Sequence, residues 1–229
     1  RLLKLFRQAS YLGITATPYA NIFINPDTET DMQGDDLFPR DFIYSLSPPT
    51  NYIGAEEIFG EEALFSTALE ELNPQEMDMF FPFNHKKDAV VDDLPPSMKE
   101  AMAYFMLANG IRDVRGDSKE HRSMMIHVSR FTDVQNQISG LAHRWVEDTR
   151  SDLHNFAGLA ESESDAIPSI AFLKAVWYKR ELAKKAGSEE TPMEWHRFLS
   201  EYLFKAVAPI VVRTVNQKNS SKGLDYYGH

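Results

Sequence analysis

The chain has 229 residues, of which 43% are hydrophobic, and this is enough apolar material for a sizeable core. It contains no cysteine, which excludes a disulfide framework and a thiolate metal site and fits a reducing, cytoplasmic location. The net charge of −10 argues against an autonomous DNA-binding domain, because phosphate contacts usually need a basic excess, although a local basic strip is compatible with it.

The first part of the chain alternates short apolar runs with turn-rich stretches, and the apolar runs predict strands. We expect buried strands at residues 11–18 and 41–46, with a further extended piece at 21–25. A helical pattern then covers about 56–72, and the polar, proline-containing stretch 73–96 is typical of an exposed connection. No apolar run approaches the roughly 18 residues of a membrane span, so none is expected.

The second part of the chain is dominated by helical periodicity. The predicted helices cover about 97–114, 132–150, 165–185 and 192–206, with Thr132 and Thr191 as capping residues. Two further strands are predicted at 123–129 and 209–216. Strands separated by long helical stretches imply crossover connections, so the pattern predicts an α/β fold with a parallel sheet and an inserted helical part.

The residues Thr15, Ala16, Thr17 and Pro18 end the first predicted strand with two hydroxyl groups and a rigid loop. In parallel α/β folds, ligands bind at the carboxyl ends of the strands. The two threonine hydroxyls could therefore bond to a bound phosphate or to a neighbouring catalytic carboxylate. The alternative is an ordinary strand that stops at a turn.

Two other segments are candidates for contact with nucleic acid. Ser129 and Arg130 lie between a predicted strand and a predicted helix, where a hydroxyl, a guanidinium and helix amides together would accept a phosphate oxygen. The alternative gives Ser129 a capping role and pairs Arg130 with a carboxylate. Lys218, Ser220 and Lys222 follow the last predicted strand and could line a backbone groove, or form a solvated loop. The histidines show no ligand spacing, so no metal site is predicted.

Residues 11–18 resemble motif III of superfamily-two helicases, and residues 122–131 resemble the motif IV region. Together with residues 19–25, 37–43 and 48–55, they make the chain similar, from about residue 2 to 226, to the Z1 domain family of bacterial helicase-like proteins. The resemblance implies a RecA-like core. Residues 1–55 would form the end of a first RecA-like domain, and residues 56–118 would be a helical connecting segment. Residues 119–229 would form the start of a second RecA-like domain with a helical insertion.

The resemblance implies a fragment of an ATP-dependent DNA translocase associated with restriction or phage defence. Thr15 and Thr17 would sense the nucleotide, while Ser129 and Arg130 would contact DNA. ATP and Mg²⁺ would bind in a longer parent protein, because no G-x-x-x-x-G-K-[ST] phosphate loop occurs here, and the fragment alone would be inactive.

An alternative function is an acidic helical module that docks a nuclease or another defence-system subunit without touching DNA. The net charge of −10 favours this alternative. An independent hydrolase is disfavoured, because neither a G-x-S-x-G nor an H-E-x-x-H motif occurs.

Overall fold

The computed structural model describes residues 5, 7–8, 10, 12–17, 42–188 and 190–215. The chain divides into two compact units, Arg1–Leu69 and Glu70–His229. The buried hydrophobic side chains of the described residues form a core that belongs to the second unit.

The described part of the first unit contains two short helical elements. Helix α1 spans Ala55–Phe59 and ends at Gly60, and a 3-10 turn spans Ser66–Ala68. The helix predicted over 56–72 is therefore confirmed only in part. Residues 12–17 and 42–46 are not strands, and their apolar side chains are exposed, with Ile14 90% exposed. The strand predictions there are wrong, because an apolar run forms a buried strand only where a partner covers it. Residues 21–25 lie outside the described residues.

The second unit is built from helices of very different lengths. In chain order they are α2 (Pro74–Phe80), α3 (Pro96–Val114), α4 (Thr132–Phe156), α5 (Glu161–Ser164), α6 (Pro168–Lys179), α7 (Leu182–Ala186), α8 (Trp195–Phe198), a π-helical turn (Leu199–Leu203) and α9 (Phe204–Val207). The helices predicted at 97–114 and 132–150 are confirmed. The connection predicted at 73–96 is not fully exposed, because it includes α2 and the buried Phe81, Val91 and Leu94.

The two long helices form because apolar residues recur at helical spacing. In α3, Met98, Met102 and Met106 are buried, and a proline at the first helical position supplies a suitable φ angle. The positive φ of Gly116 follows the end of α3. The last helical segment begins later than predicted, since the Glu194 carboxylate, and not Thr191, caps α8 by accepting from backbone N–H groups.

Helix α3 lies at the centre of the unit, packed against α6, α7 and the segment from α8 to α9. Trp177 and Phe198 stack with their ring centroids 4.2 Å apart, and Trp195 lies 5.7 Å from Trp177. All three aromatic side chains are fully buried. Gly110 of α3 faces the ring of Phe198, so the absence of a side chain there allows the close approach of the two helical segments.

The predicted RecA-like parallel sheet is wrong, because the described residues contain no β-strand and their core is helical. The β-like patterns near residues 123–129 and 209–216 have another cause. Ile126 and Val128, like Ile210 and Val212, pack against the helical core, while the residue between each pair, His127 or Val211, is exposed, Val211 to 69%. An irregular segment lying on helices thus produces the same alternation as a strand.

Candidate functional site

Ser129 lies just before α4, where its side chain is held by internal hydrogen bonds. Only 5% of the residue is exposed. Its Oγ lies 2.8 Å from Nε2 of His85 and accepts a hydrogen bond of 3.1 Å from the backbone N–H of Phe131. The side-chain amide of Gln135 donates to the Ser129 carbonyl at 2.7 Å. Ser129 therefore joins the loop after α2 to the start of α4.

The second ring nitrogen of His85 decides which group donates in the Ser129 contact. His85 Nδ1 lies 2.9 Å from the carbonyl oxygen of Pro82, and a carbonyl can only accept, so Nδ1 carries the proton. In the neutral imidazole, Nε2 is then an acceptor, and the Ser129 hydroxyl donates to it. The only proton of that hydroxyl is thereby used within the fold, which favours a local structural role for Ser129 over direct donation to a phosphate.

Arg130, the neighbour of Ser129, is exposed and available to an external anion. Its guanidinium lies 5.0 Å from the ring centroid of Phe131, and no ion pair of Arg130 occurs within the described part of the chain. Phe131 is the N-cap of α4 and supplies no capping side-chain hydrogen bond. The start of this 25-residue helix thus combines a free guanidinium with first-turn amides that the N-cap side chain does not satisfy.

The other predicted site residues either belong to the first unit or lie outside the described residues. Thr15, Ala16 and Thr17 are exposed, and the Thr15 hydroxyl accepts a 3.1 Å hydrogen bond from the Thr17 backbone N–H. They belong to the first unit, whereas Ser129 and Arg130 belong to the second. Pro18, Lys218, Ser220 and Lys222 lie outside the described residues. Contact of any of them with nucleotide or DNA stays a prediction.

Arg122 forms the most densely bonded polar cluster among the described residues near the end of α3. It donates to the Asn109 carbonyl at 2.8 Å, to Asp113 Oδ1 at 2.5 Å and to the Asp117 carbonyl. Asp117 also accepts from Arg112 Nε at 2.6 Å. The adjoining cleft of about 340 Å³ is lined by Asp113, Ser118, Arg122, Glu201, Tyr202, Lys205, Ala206 and Pro209. Because the Arg122 guanidinium already binds three acceptors, we assign it a structural role in holding the segment that leads to Ser129.

Several other cations are also committed to ion pairs. The Lys174 ammonium lies 2.5 Å from Asp165 and 2.9 Å from Glu161, and the hydrogen bond to Asp165 outweighs desolvation to raise the pKa of Lys174 to about 12. Burial of the Glu100 carboxyl opposes its ionisation, but hydrogen bonds from Lys179 and Arg180 outweigh this and lower the pKa of Glu100. Both clusters connect helices and serve stability.

Within the described ranges, no three or more His, Asp or Glu side chains are grouped so that they could hold a metal ion. None of the helices in that part of the chain is both long and apolar enough to cross a membrane.

These observations define a helical, acidic domain in which an exposed arginine precedes the longest of the described helices. The chain belongs to the Z1 domain family, whose match covers residues 97–229, more than half of its length. The match includes Ser129 and Arg130, and it does not include residues 1–96, where the motif III-like segment lies. No curated protein and no solved structure matches the chain.

His85 is the member of this region that the sequence did not predict. It lies 44 positions before Ser129 and in a stretch interpreted as an exposed connection. Neither a motif nor a regular spacing relates the two residues. The sequence signal that could have indicated a packed loop was its apolar residues Phe81 and Val91, whose side chains are buried.

Proposed function

We propose that this chain is the DNA-contacting helical part of an ATP-dependent, helicase-like translocase associated with restriction or phage defence. The observation that supports DNA contact is the exposed Arg130 guanidinium, which precedes α4 and has no ion pair within the described residues. Guanidinium groups bind phosphate through charge-assisted hydrogen bonds, and a helix N-terminus favours an anion beside them. In this proposal Ser129 acts indirectly, by holding the backbone that carries Arg130.

The motor part of the proposal rests on the resemblance of residues 11–18 to helicase motif III, since the described residues contain no RecA-like sheet. ATP and Mg²⁺ would be bound by a longer parent protein, because this sequence has no phosphate loop. Thr15 and Thr17 would transmit the nucleotide state.

The DNA contact is tested by fluorescence anisotropy with a labelled duplex, using the 229-residue chain and two variants. Arg130→Ala should weaken binding and lower the slope of log K against log salt by about 0.9, the contribution of one phosphate contact on a duplex. Arg144→Ala is the matched control, because Arg144 is an exposed arginine further along the same helix. If both variants weaken binding equally, the contribution is general charge and the assignment to Arg130 is wrong.

The motor function is tested separately by ATP hydrolysis in the intact parent protein, with and without duplex DNA. Thr15→Ala combined with Thr17→Ala should keep ATP binding and lose the stimulation by DNA. A double variant that responds to DNA as the parent does would remove the coupling role.

A second candidate function is a docking module for a nuclease or another defence-system subunit. The observations that favour it are the net charge of −10 and exposed apolar side chains such as Met79 and Val90. This candidate replaces the first if the chain shows no salt-dependent binding to DNA.

A further inference from the structure

The loop between α2 and α3 carries Phe83, whose side chain is 95% exposed. An isolated exposed apolar residue on a mobile loop needs no explanation, but both ends of this loop are fixed. Phe81 is buried in the core, and Gln137 of α4 binds the backbone further along the loop, donating to the Ala89 carbonyl and accepting from the Val91 N–H, each at 3.0 Å. Phe83 is therefore presented to solvent by an anchored loop.

His85 fixes the middle of the same loop. Its ring is hydrogen-bonded to Ser129 and to the Pro82 carbonyl, and it packs edge-on against Phe131 with the centroids 5.6 Å apart. The loop is thereby attached to the residues that precede α4. This attachment brings the residues on either side of His85 to the neighbourhood of Arg130, although 44 positions separate the two bonded residues.

The residues around these anchors are basic and exposed. Lys86 and Lys87 follow His85, Arg130 follows Ser129, and none of the three has an ion pair within the part of the chain that the structure describes. The acidic residues of the same two stretches are Asp88, Asp92 and Asp93 in the loop and Asp133 in the first turn of α4, and Asp93 is paired with Lys99. We call Phe83, Lys86, Lys87 and Arg130 the Phe83 surface.

We infer that the Phe83 surface binds single-stranded DNA, with a base stacked on Phe83 and phosphates paired with the three cations. An exposed aromatic ring beside cations is the combination that single strands select, because their bases present open faces while a duplex keeps its bases stacked. The anchored loop lowers the conformational cost of binding. This inference rests on the proposed DNA contact and adds to it the form of DNA and a stacking residue.

The test is the anisotropy of a labelled oligo-dT of about 12 nucleotides, a length within the range of one single-strand site. Phe83→Ala should weaken binding by about 5- to 150-fold, the range observed when one stacked base loses its aromatic partner. Phe83→Trp should retain it. Tyr178→Ala is the matched control, since Tyr178 is an aromatic residue 57% exposed elsewhere on the chain. Because Phe83 is almost fully exposed, its variants should keep the helical circular dichroism of the parent.

The cations are tested by the salt dependence of the same complex. Lys86→Ala with Lys87→Ala should lower the slope of log K against log salt by about 1.4, or about 0.7 for each single-strand phosphate contact. Lys119→Ala with Lys205→Ala removes two exposed lysines outside the surface and should leave the slope unchanged.

The outcomes separate this inference from the proposed function. If Arg130→Ala weakens duplex binding while Phe83→Ala leaves oligo-dT binding unchanged, stacking is refuted and the proposed DNA contact stands. If neither DNA form binds, both are refuted. If poly-glutamate displaces oligo-dT at an equal concentration of charge, the surface binds acidic polymers in general and the single-strand assignment is wrong.

Discussion

Two helical glycines provide a matched test of how the second unit is packed. A Cβ added at Gly110 in α3 would lie 2.6 Å from Phe198 Cζ and 3.0 Å from its Cε2. At Gly140 in α4, the nearest atom to an added Cβ is a guanidinium nitrogen of Arg144 at 3.9 Å. Both glycines are in helix interiors, where alanine is favoured over glycine by about 0.8–1.0 kcal/mol. The two alanine variants therefore differ mainly in the space available to the new methyl group.

The size of the difference follows from the surroundings of Phe198. Its ring is fully buried and stacked on Trp177 at 4.2 Å, so it cannot move aside without disturbing the aromatic core. Overpacking of this kind costs about 1–3 kcal/mol. We expect Gly140→Ala to stabilise the chain by about 0.5–1 kcal/mol, and Gly110→Ala to range from neutral to about 2 kcal/mol destabilising. Because the helix preference is common to both, their difference of about 1–3 kcal/mol measures the packing penalty alone.

Urea unfolding, followed by far-ultraviolet circular dichroism, measures this difference as a shift of the midpoint at constant slope. A double-mutant cycle sharpens it, since Gly110→Ala should be less harmful in a Phe198→Leu background that removes the ring. If Gly110→Ala stabilises the chain as much as Gly140→Ala does, α3 does not approach Phe198 as the structure shows, and the reasoning fails.

Two further predictions concern the polar clusters. Arg122→Lys should destabilise the chain by about 1–3 kcal/mol, because one ammonium cannot reproduce the bonds of a guanidinium to the Asn109 carbonyl and Asp113; an unchanged urea midpoint would contradict this. Glu100→Gln should be less stable than the parent at neutral pH. Since folding lowers the pKa of Glu100, the ionised carboxylate stabilises the folded chain above the ordinary pKa of 4.5, and this stabilisation is lost as the pH falls through the folded pKa. The thermal unfolding temperatures of variant and parent should therefore converge in acid. A gap that persists in acid would show that packing, and not charge, is responsible.

The helices were the predictable part of this fold, because each long helix buries one face. In α4, the step from the buried Val146 to the buried Thr149 is three positions and the step from Thr149 to the buried Leu153 is four, and a strand would place Val146 and Thr149 on opposite faces. The strand prediction was wrong at 210–215, where half-buried and exposed side chains alternate, since this alternation reports only that every second side chain is covered. A helical surface covers those side chains here, and the sequence does not distinguish it from a sheet.

From the sequence, the role of Ser129 could be predicted only as one of two alternatives, a phosphate ligand or a helix cap. The structure gives the Ser129 side chain two internal hydrogen bonds, one of them to a histidine in a distant loop, while the N-cap of α4 is Phe131. The position of Arg130 before a helix was predictable from local sequence. Its proximity in the fold to the loop of Phe83 and Lys86 was not, because it depends on tertiary contacts that leave no periodic signal.

The net charge of −10 does not by itself decide between DNA contact and protein docking, because many cations of this chain are neutralised in place. Lys174, Lys179 and Arg180 are paired with carboxylates, and an external phosphate would have to displace those partners. Lys86 and Arg130 have no ion pair within the described residues and lie on the two segments that His85 joins. Binding depends on the local field of unpaired charges, so an acidic chain with clustered free cations can bind DNA at that one surface while its remaining surface repels DNA.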